Sequence, residues 1–350
     1  MVFGIISVVC VLLFLGTMLA THLIIKARFK RGSYPKFTVA DYYYEHYQKD
    51  YPRTALSFYS GKNRLQGYVY GAENNLGLMV FAHGIGTGHE SYIQEILWMV
   101  DHGWRVFAYD ATGSCESEGK GTIGLVQSAL DLHAALTYVE ADPKLNQLPV
   151  VLMGHSWGGY AVTAVLNFDH PIKGVVSFAG YADPTEMMMD FALHTMGKFT
   201  VFLRPFVALE NKRLFGMHAS LNAVDGINRN NIPVMIVHGT CDRVIPIETV
   251  AIIAHSNRIT NPYVKPKIMS KEGQNDHNDI FMDSQSLEYM KEVAEKYQAL
   301  QRQYQNRIPN GVRAEFRNSV DRDLINTANQ GLMNEAHAFL WDCIYQNKLQ

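Results

Sequence analysis

Six short apolar runs, each four to six residues long, recur between residues 77 and 270. They are rich in Val, Ile, Phe or Met, which is typical of strands covered on both faces of a parallel sheet. The runs span 77–82, 105–109, 150–153, 174–178, 234–237 and 267–270. Helical stretches lie between several of them, at 91–101, 124–140, 159–167 and 247–255. This alternation predicts an α/β fold with a doubly wound, mostly parallel sheet flanked by helices.

A charge-free segment precedes this pattern. Residues 2–25 contain no Asp, Glu, Lys or Arg, whereas Lys26, Arg28, Lys30 and Arg31 follow directly. As a helix, this segment would be about 36 Å long, enough to cross a hydrocarbon core of about 30 Å. A cleaved signal peptide would have a basic start and a shorter apolar core, and a buried core helix would be less uniformly apolar. The segment therefore favours an uncleaved membrane anchor over those two alternatives.

The basic flank also predicts an orientation. The positive-inside rule places this flank, and the domain that follows it, in the cytoplasm. The chain has no Asn-x-Ser/Thr acceptor, which is compatible with that side, and an extracytoplasmic domain is the alternative. A tyrosine-rich stretch then follows the flank, and it would lie either at the membrane interface or in a helix packed on the domain. Its members are Tyr42, Tyr43, Tyr44, Tyr47 and Tyr51.

These patterns divide the chain. We expect an anchor with its basic flank over 1–31, a juxtamembrane helix over 32–54 and one α/β domain over 55–350. The domain begins with a hairpin of strands at 55–59 and 66–70. Residues 183–231 are rich in Met and Phe and predict a helical cap insertion, with ordinary core packing as the alternative. Residues 284–350 predict a C-terminal helical extension, and we expect no catalytic residues in it.

Composition excludes two classes of protein. Lys and Arg number 31 and Asp and Glu 33, so the net charge of −2 argues against a nucleic-acid-binding protein. Four cysteines in 350 residues exclude a disulfide-built scaffold. Cys115 and Cys241 lie on predicted loops and are interpreted as free packing thiols.

The strongest local motif is Gly154-His155-Ser156-Trp157-Gly158, a G-x-S-x-G sequence between a predicted strand and a predicted helix. A sharp strand-to-helix turn lifts a serine hydroxyl out of a sheet, and the flanking glycines allow the crowded backbone. The helix N-terminus also favours developing negative charge. We therefore interpret Ser156 as a nucleophile rather than as a structural serine.

A serine nucleophile needs a base, and the base needs an orienting acid. Asp242 follows the apolar run at 234–237, at the sheet edge where sites of open α/β folds lie. Asp183 is the alternative acid, although its position before Pro184 is typical of a helix N-cap.

The predicted base is His277, in the loop after the last predicted strand, from which it can return to Ser156. Three other histidines are weaker candidates. His337 lies in the terminal helix, His255 lies on a helix face, and His238 precedes a glycine in a turn.

Acyl transfer also requires an oxyanion hole. Main-chain N–H groups would supply it, one from Trp157 after the nucleophile and one from Ile85 in the loop 83–88. That glycine-rich loop lacks the spacing of a phosphate-binding loop. The acidic loop 110–119 lacks metal-ligand spacing, so we expect it to line the cleft structurally.

Taken together, these segments resemble the α/β-hydrolase superfamily, closest to capped serine hydrolases of the monoacylglycerol lipase-like and serine aminopeptidase-like kind. The matching pieces are His83-Gly84-Ile85-Gly86, Asp110 to Gly119, Gly154 to Gly159, His238 to Asp242 and His277. The resemblance implies an α/β-hydrolase fold, ester hydrolysis without a cofactor or metal, and Ser156, Asp242 and His277 as nucleophile, acid and base.

The sequence therefore predicts a membrane-anchored serine hydrolase of a lipophilic ester, such as a monoacylglycerol or lysolipid. A peptidase or acyltransferase of the same fold and a catalytically silent binding module stay open as alternatives. The expected partners are a small-molecule or lipid ester and the membrane, without nucleic acid. The sequence makes no prediction of oligomeric state.

Overall fold

The computed structural model describes residues 2–34 and 42–345. In this part of the chain, eight strands form one sheet in the order β1-β2-β4-β3-β5-β6-β7-β8. The strands are β1 Arg53–Ser60, β2 Asn63–Tyr70, β3 Leu78–Ala82, β4 Arg105–Tyr109, β5 Val150–His155, β6 Ile172–Phe178, β7 Val234–Gly239 and β8 Val264–Met269. β1 and β2 form an antiparallel hairpin, and β2 is also antiparallel to its neighbour β4. The six strands from β3 to β8 are parallel to one another. The predicted α/β class and mostly parallel sheet are confirmed.

The last strand differs most from its predicted position. β8 begins at Val264, three residues before the run predicted at 267–270. It lies at the edge of the sheet, and none of the six residues of its sequence VKPKIM is fully buried. Edge strands commonly carry lysine and proline, which protect them from pairing with other chains. Because β8 lacks the continuous apolar pattern of a buried strand, that pattern could not predict its first residue.

Helices cover both faces of the sheet. One layer contains α4 and α5, with α8 packed against α5, and the other contains α3 and α12. The helices are α1 Val2–Arg28, α2 Tyr44–Tyr47, α3 Ile93–Asp101, α4 Gln127–Ala141, α5 Trp157–Ala164, α6 Pro184–Met196, α7 Arg204–Phe215, α8 Ala223–Arg229, α9 Ser284–Gln303, α10 Asn310–Ser319, α11 Arg322–Ile325 and α12 Gln330–Tyr345. An apolar core fills the space between the sheet and each layer.

Two helical predictions need correction. The helix predicted over 247–255 is replaced by a turn and a 3-10 helix, Ile252–Arg258. The polar stretch 306–323 contains α10 and part of α11. The apolar residues of α10 lie on one face of the helix, but its overall composition is polar. Short polar helices gain their stability from tertiary packing rather than from local propensity, so a composition-based interpretation misses them.

Residues 183–231 form α6, α7 and α8, joined by 3-10 helices, between β6 and β7. Part of this segment packs inward through Met189 and Phe215, while Phe199, Phe202 and Met217 lie largely exposed. We call the segment the cap. It is attached to α5 through the Tyr160 hydroxyl, which donates to the carbonyl of Leu221 at 2.8 Å.

By length and composition, α1 is the one helix in the described residues that is able to cross a membrane. From its middle to its C-terminal end, α1 packs on α7 of the cap. The rings of Phe14 and Phe206 lie 5.4 Å apart, and His22 Nδ1 lies 2.8 Å from the Glu210 carboxylate. The anchor predicted over 1–31 is therefore docked against the domain at its C-terminal end.

The flank after α1 also pairs with loops at the carboxyl edge of the sheet. The Gly32 N–H donates to the Gly113 carbonyl at 2.9 Å, and the Cys115 N–H donates to the Gly32 carbonyl at 3.0 Å. A Cβ on Gly32 would lie 2.8 Å from the Gly86 carbonyl carbon. Glycine at position 32 thus permits a close backbone approach to the predicted oxyanion loop.

The predicted juxtamembrane helix over 32–54 is wrong for the described part, which contains one helical turn, α2. Residues 35–41 of that prediction lie outside the described residues. Tyr44 and Tyr47 pack against the apolar core under α3, and the Arg53 guanidinium lies 3.6 Å from the Tyr44 ring centroid. This packing agrees with the interpretation of the tyrosines as partly buried.

Candidate active site

Ser156 lies at the sharp turn between β5 and α5. Its φ is +59°, a left-handed conformation that is uncommon for a residue other than glycine. The backbone around it is crowded, because a Cβ on Gly158 would overlap the Ala82 carbonyl and one on Gly154 would overlap Gly158. The two glycines of the motif therefore allow β3, β5 and α5 to meet closely while Ser156 takes a strained position.

Three predicted side chains form one hydrogen-bonded chain. His277 Nε2 lies 3.0 Å from Ser156 Oγ, and His277 Nδ1 lies 2.7 Å from Asp242 Oδ2. The Asp242 carboxylate only accepts, so His277 carries its proton on Nδ1 and its Nε2 accepts the Ser156 hydroxyl proton. All three residues are buried. This is the arrangement by which a base removes a serine proton while a carboxylate orients the base.

The Asp242 carboxylate is held as an anion. Burial alone would raise its pKa, but hydrogen bonds from His238 and His277 keep the pKa well below its ordinary value. Oδ1 also accepts the N–H groups of Val244 and Ile245, at 2.9 and 2.8 Å. Asp242 therefore stays charged at any pH near neutrality and stabilises a positive charge on His277.

The alternative acid and bases lie elsewhere. Asp183 accepts the N–H groups of Thr185 and Glu186 and so caps α6. His337 accepts from the Trp104 indole at 2.9 Å, and His255 lies in the 3-10 helix after β7.

His238 does contact the site. Its Nε2 lies 2.8 Å from the Ile245 carbonyl and 3.3 Å from Asp242 Oδ2, the same oxygen that His277 contacts. It therefore supports Asp242, and its bond to the Ile245 backbone agrees with the turn role considered for it from sequence.

Two main-chain N–H groups near Ser156 are available for an oxyanion. Within the described residues, the N–H groups of Ile85 and Trp157 donate to no acceptor. Trp157 is the first residue of α5, whose N–H has no partner inside the helix. The structure thus leaves free the two donors predicted from the sequence.

His83 fixes the peptide plane that carries one of these donors. The Ala111 N–H donates to His83 Nε2 at 2.9 Å, so Nδ1 carries the proton and donates to the Gly84 carbonyl at 2.6 Å. That carbonyl and the Ile85 N–H belong to one trans peptide unit and point in opposite directions. Burial lowers the pKa of His83, which keeps the ring neutral in this role.

Sequence reasoning missed a hydrogen-bonded link between His155 and Tyr92. His155 Nε2 donates to the His277 carbonyl at 3.0 Å, so its Nδ1 accepts from the Tyr92 hydroxyl at 2.8 Å. The Tyr92 oxygen in turn accepts the Gly84 N–H at 3.1 Å. Burial lowers the pKa of His155 to about 3, so the ring stays neutral. This link joins the loop that carries the base to the loop that carries the oxyanion donor.

Changing Tyr92 to Phe is expected to lower kcat about ten- to a hundredfold with KM changed less than about threefold, because the link positions groups that act in the transition state. The change leaves the Gly84 N–H and His155 Nδ1 unpaired. Steady-state kinetics on a short acyl ester measure the effect. Tyr59→Phe is the control, since Tyr59 lies exposed on β1. Equal kcat in both variants would remove Tyr92 from a positioning role.

The acidic loop 110–119 is held by internal contacts. Asp110 Oδ1 lies 2.8 Å from His89 Nδ1, and its Oδ2 accepts the Glu116 N–H at 3.1 Å. Across the described residues, no group of three or more His, Cys, Asp or Glu side chains is placed to hold a metal ion. Burial raises the pKa of the Cys115 thiol to about 12, which makes it a poor nucleophile.

Comparison with known proteins gives one family match. The model of a family described as serine aminopeptidase S33 matches residues 73–224, a segment that contains Ile85, Ser156 and Trp157 but ends before Asp242 and His277. A polyketide transferase from a Penicillium species is 23% identical over 184 residues, which cover 49% of this chain and 62% of the relative. The YfhR protein of Escherichia coli is 23% identical over 241 residues, covering 66% of this chain and 75% of that protein.

Solved structures agree with the fold. An esterase from Pyrococcus furiosus superposes with a TM-score of 0.53 and 16% identity, covering 77% of this chain and 96% of the esterase. An acylaminoacyl peptidase from Pyrococcus horikoshii gives a TM-score of 0.50 and 17% identity over 68% of this chain and 40% of the peptidase. At such identities the likeness concerns the fold alone.

Proposed function

We propose that this chain is a serine hydrolase of the α/β-hydrolase superfamily and that it cleaves a carboxylic ester through an acyl-enzyme on Ser156. The main support is the chain of hydrogen bonds from Ser156 through His277 to Asp242. The unpaired N–H groups of Ile85 and Trp157 beside it add the second element that acyl transfer needs.

In this mechanism, His277 Nε2 takes the hydroxyl proton as Ser156 Oγ attacks the ester carbonyl carbon. Asp242 holds the resulting imidazolium, and the N–H groups of Ile85 and Trp157 bind the tetrahedral oxyanion. His277 then gives its proton to the leaving alcohol as the carbon–oxygen bond breaks. Water attacks the acyl-enzyme with His277 again as base, and the carboxylic acid leaves.

The substrate we favour is a lipophilic acyl ester such as a monoacylglycerol or lysolipid. The argument is the exposed apolar surface of the cap, where Phe199, Phe202 and Met217 are 85%, 73% and 87% exposed. Exposed apolar surface can mark contact with a membrane, an apolar ligand or another protein, and the nearby α1 favours the lipid interpretation. The cap also packs on α1 through Phe206 and Phe14, so a membrane-spanning α1 would hold it at the bilayer.

We further propose that α1 anchors the protein in a membrane with the catalytic domain in the cytoplasm. The support is the cationic flank from Lys26 to Arg31, which the positive-inside rule assigns to the cytoplasmic side. Protease added outside intact cells should leave the domain undigested. Digestion of the domain under those conditions would place it on the opposite side.

The proposed reaction is tested by comparing ester hydrolysis, amide hydrolysis and acyl transfer to an alcohol. The full chain in mild detergent is labelled with a fluorophosphonate probe and assayed on acyl esters of increasing chain length, an aminoacyl arylamide, and an ester with an added alcohol acceptor. We expect labelling of Ser156, kcat/KM at least about 100-fold higher for the best ester than for the arylamide, and free acid as the product.

Each alternative has its own result in this comparison. A faster arylamide reaction would indicate a peptidase, and product directed to the alcohol rather than to water would indicate an acyltransferase. Acyl transfer is kept as the second candidate because the Penicillium relative is named a polyketide transferase. No labelling at all would contradict both and leave a silent binding module.

A further inference from the structure

A cavity lies where α1 ends and docks on the domain, and none of Ser156, Asp242 and His277 lines it. Its volume is about 750 Å³. Ile25 and Phe29 from the end of α1 and Leu214 from α7 give it an apolar floor. Ile25 and Phe29 are buried, so this floor is part of the packed structure rather than a loose surface groove.

Cationic side chains converge on the same cavity from three separate parts of the chain. They are Lys26 in the last turn of α1, Lys30 and Arg31 just after it, Lys62 in the β1–β2 turn and Lys120 in the loop after β4. Within the described residues, none of the four lysines forms a hydrogen bond or ion pair through its ammonium group. Four lysines without an ion-pair partner therefore line the cavity.

Two acidic residues also line the cavity, but they do not balance its cations. Glu210 is buried and bonded to His22 and Arg213, and its hydrogen bond with Arg213 lowers the pKa of the carboxyl group. Glu118 accepts the Arg64 N–H at 2.9 Å. Glu210 is thus balanced by Arg213, whereas Glu118 keeps its charge, so one carboxylate is left against the four lysines and Arg31 and the lining has an excess of positive charge.

The wall of the cavity is backbone held in an unusual conformation. Ile123 has a φ of +61°, which is strained for a β-branched residue. Two residues earlier, a Cβ on Gly121 would overlap the Phe29 carbonyl oxygen. The loop after β4 is therefore shaped closely around the end of α1, which fixes Lys120 opposite the basic flank.

We propose that this cavity binds the phosphate headgroup and adjoining methylenes of an anionic phospholipid. The apolar floor and the unpaired lysines together fit an amphiphile, whereas a free phosphate would use only the lysines. The location agrees with this occupant, because the charge-free segment ends at Ile25 and the headgroups would lie beside Lys26. The site rests on the proposal that α1 spans a membrane, and it does not depend on ester cleavage.

The test uses the full chain in phosphatidylcholine nanodiscs containing spin-labelled, ether-linked phosphatidylglycerol, which has no ester bond to hydrolyse. The variant Lys30→Gln/Lys62→Gln/Lys120→Gln is compared with Lys144→Gln/Lys173→Gln/Lys291→Gln. The second variant loses the same charge from exposed sites outside the cavity. Matching thermal midpoints show that both variants are folded.

The cavity variant should bind the labelled phosphatidylglycerol roughly 100-fold more weakly than the wild type, and the control should bind within about threefold of it. Equal immobilisation of the lipid by the two variants would overturn the site. Displacement of the lipid by equimolar glycerol phosphate would also overturn it, because the ligand would then be a free phosphate ester. Absence of esterase activity would leave this binding result unchanged, so the two proposals fail separately.

Discussion

Replacing Ser156 with alanine should lower kcat on a short acyl ester by about 10⁴- to 10⁶-fold. The hydroxyl is the only part of the side chain that reaches His277 Nε2, at 3.0 Å, so the variant keeps the turn but has no nucleophile. The proposed oxyanion donors, the N–H groups of Ile85 and Trp157, belong to the backbone and remain, so a small residual rate is expected. The measurement is initial ester hydrolysis by the purified full chain, together with fluorophosphonate labelling.

The matched control for this experiment is Ser57→Ala, on the exposed face of β1. That variant should keep its activity within about twofold and its probe labelling in full, because surface substitutions away from a site change little. Hydrolysis by the Ser156 variant at the wild-type rate would contradict the acyl-enzyme mechanism. Loss of activity in both variants would point to a preparation artefact and require the comparison to be repeated on folded protein.

The sequence predicted the parts of the candidate site that local rules govern. A G-x-S-x-G sequence after a strand predicts a sharp turn that exposes the serine side chain. The loops that follow parallel strands meet at one edge of the sheet. Ser156, Asp242 and His277 follow β5, β7 and β8, so their convergence was predictable from their order and positions. Their catalytic roles stay proposals, which the variants described here test.

Other features depended on contacts between distant segments and could not be predicted. Tyr92 and His155 are 63 residues apart, and nothing in the local pattern of either indicates that they share a hydrogen bond. The docking of Gly32 against Gly86 likewise depends on the course of the chain after α1. The cationic cavity combines lysines from three separate segments of the chain, and each lysine alone is an ordinary solvated charge.

Asp242→Asn should lower kcat by about 10⁴-fold at neutral pH, the second of the two largest effects. An asparagine amide can donate to His277 Nδ1, which would favour the tautomer with its proton on Nε2. That tautomer cannot accept the Ser156 proton. The pKa of Asp242 lies well below its ordinary value, so the wild-type carboxylate stays charged on both sides of neutrality. Titration of Asp242 therefore contributes nothing to the pH dependence of kcat/KM near neutral pH.

Asp183→Asn is the control that separates the two acids considered from the sequence. Asp183 caps α6 by accepting the N–H groups of Thr185 and Glu186, and asparagine caps a helix about as well as aspartate. Kinetics of this variant should match the wild type within about twofold across the pH range. A large loss in Asp183→Asn with a small loss in Asp242→Asn would assign the acid to Asp183. The hydrogen bond between His277 and Asp242 would then have to break in the working enzyme.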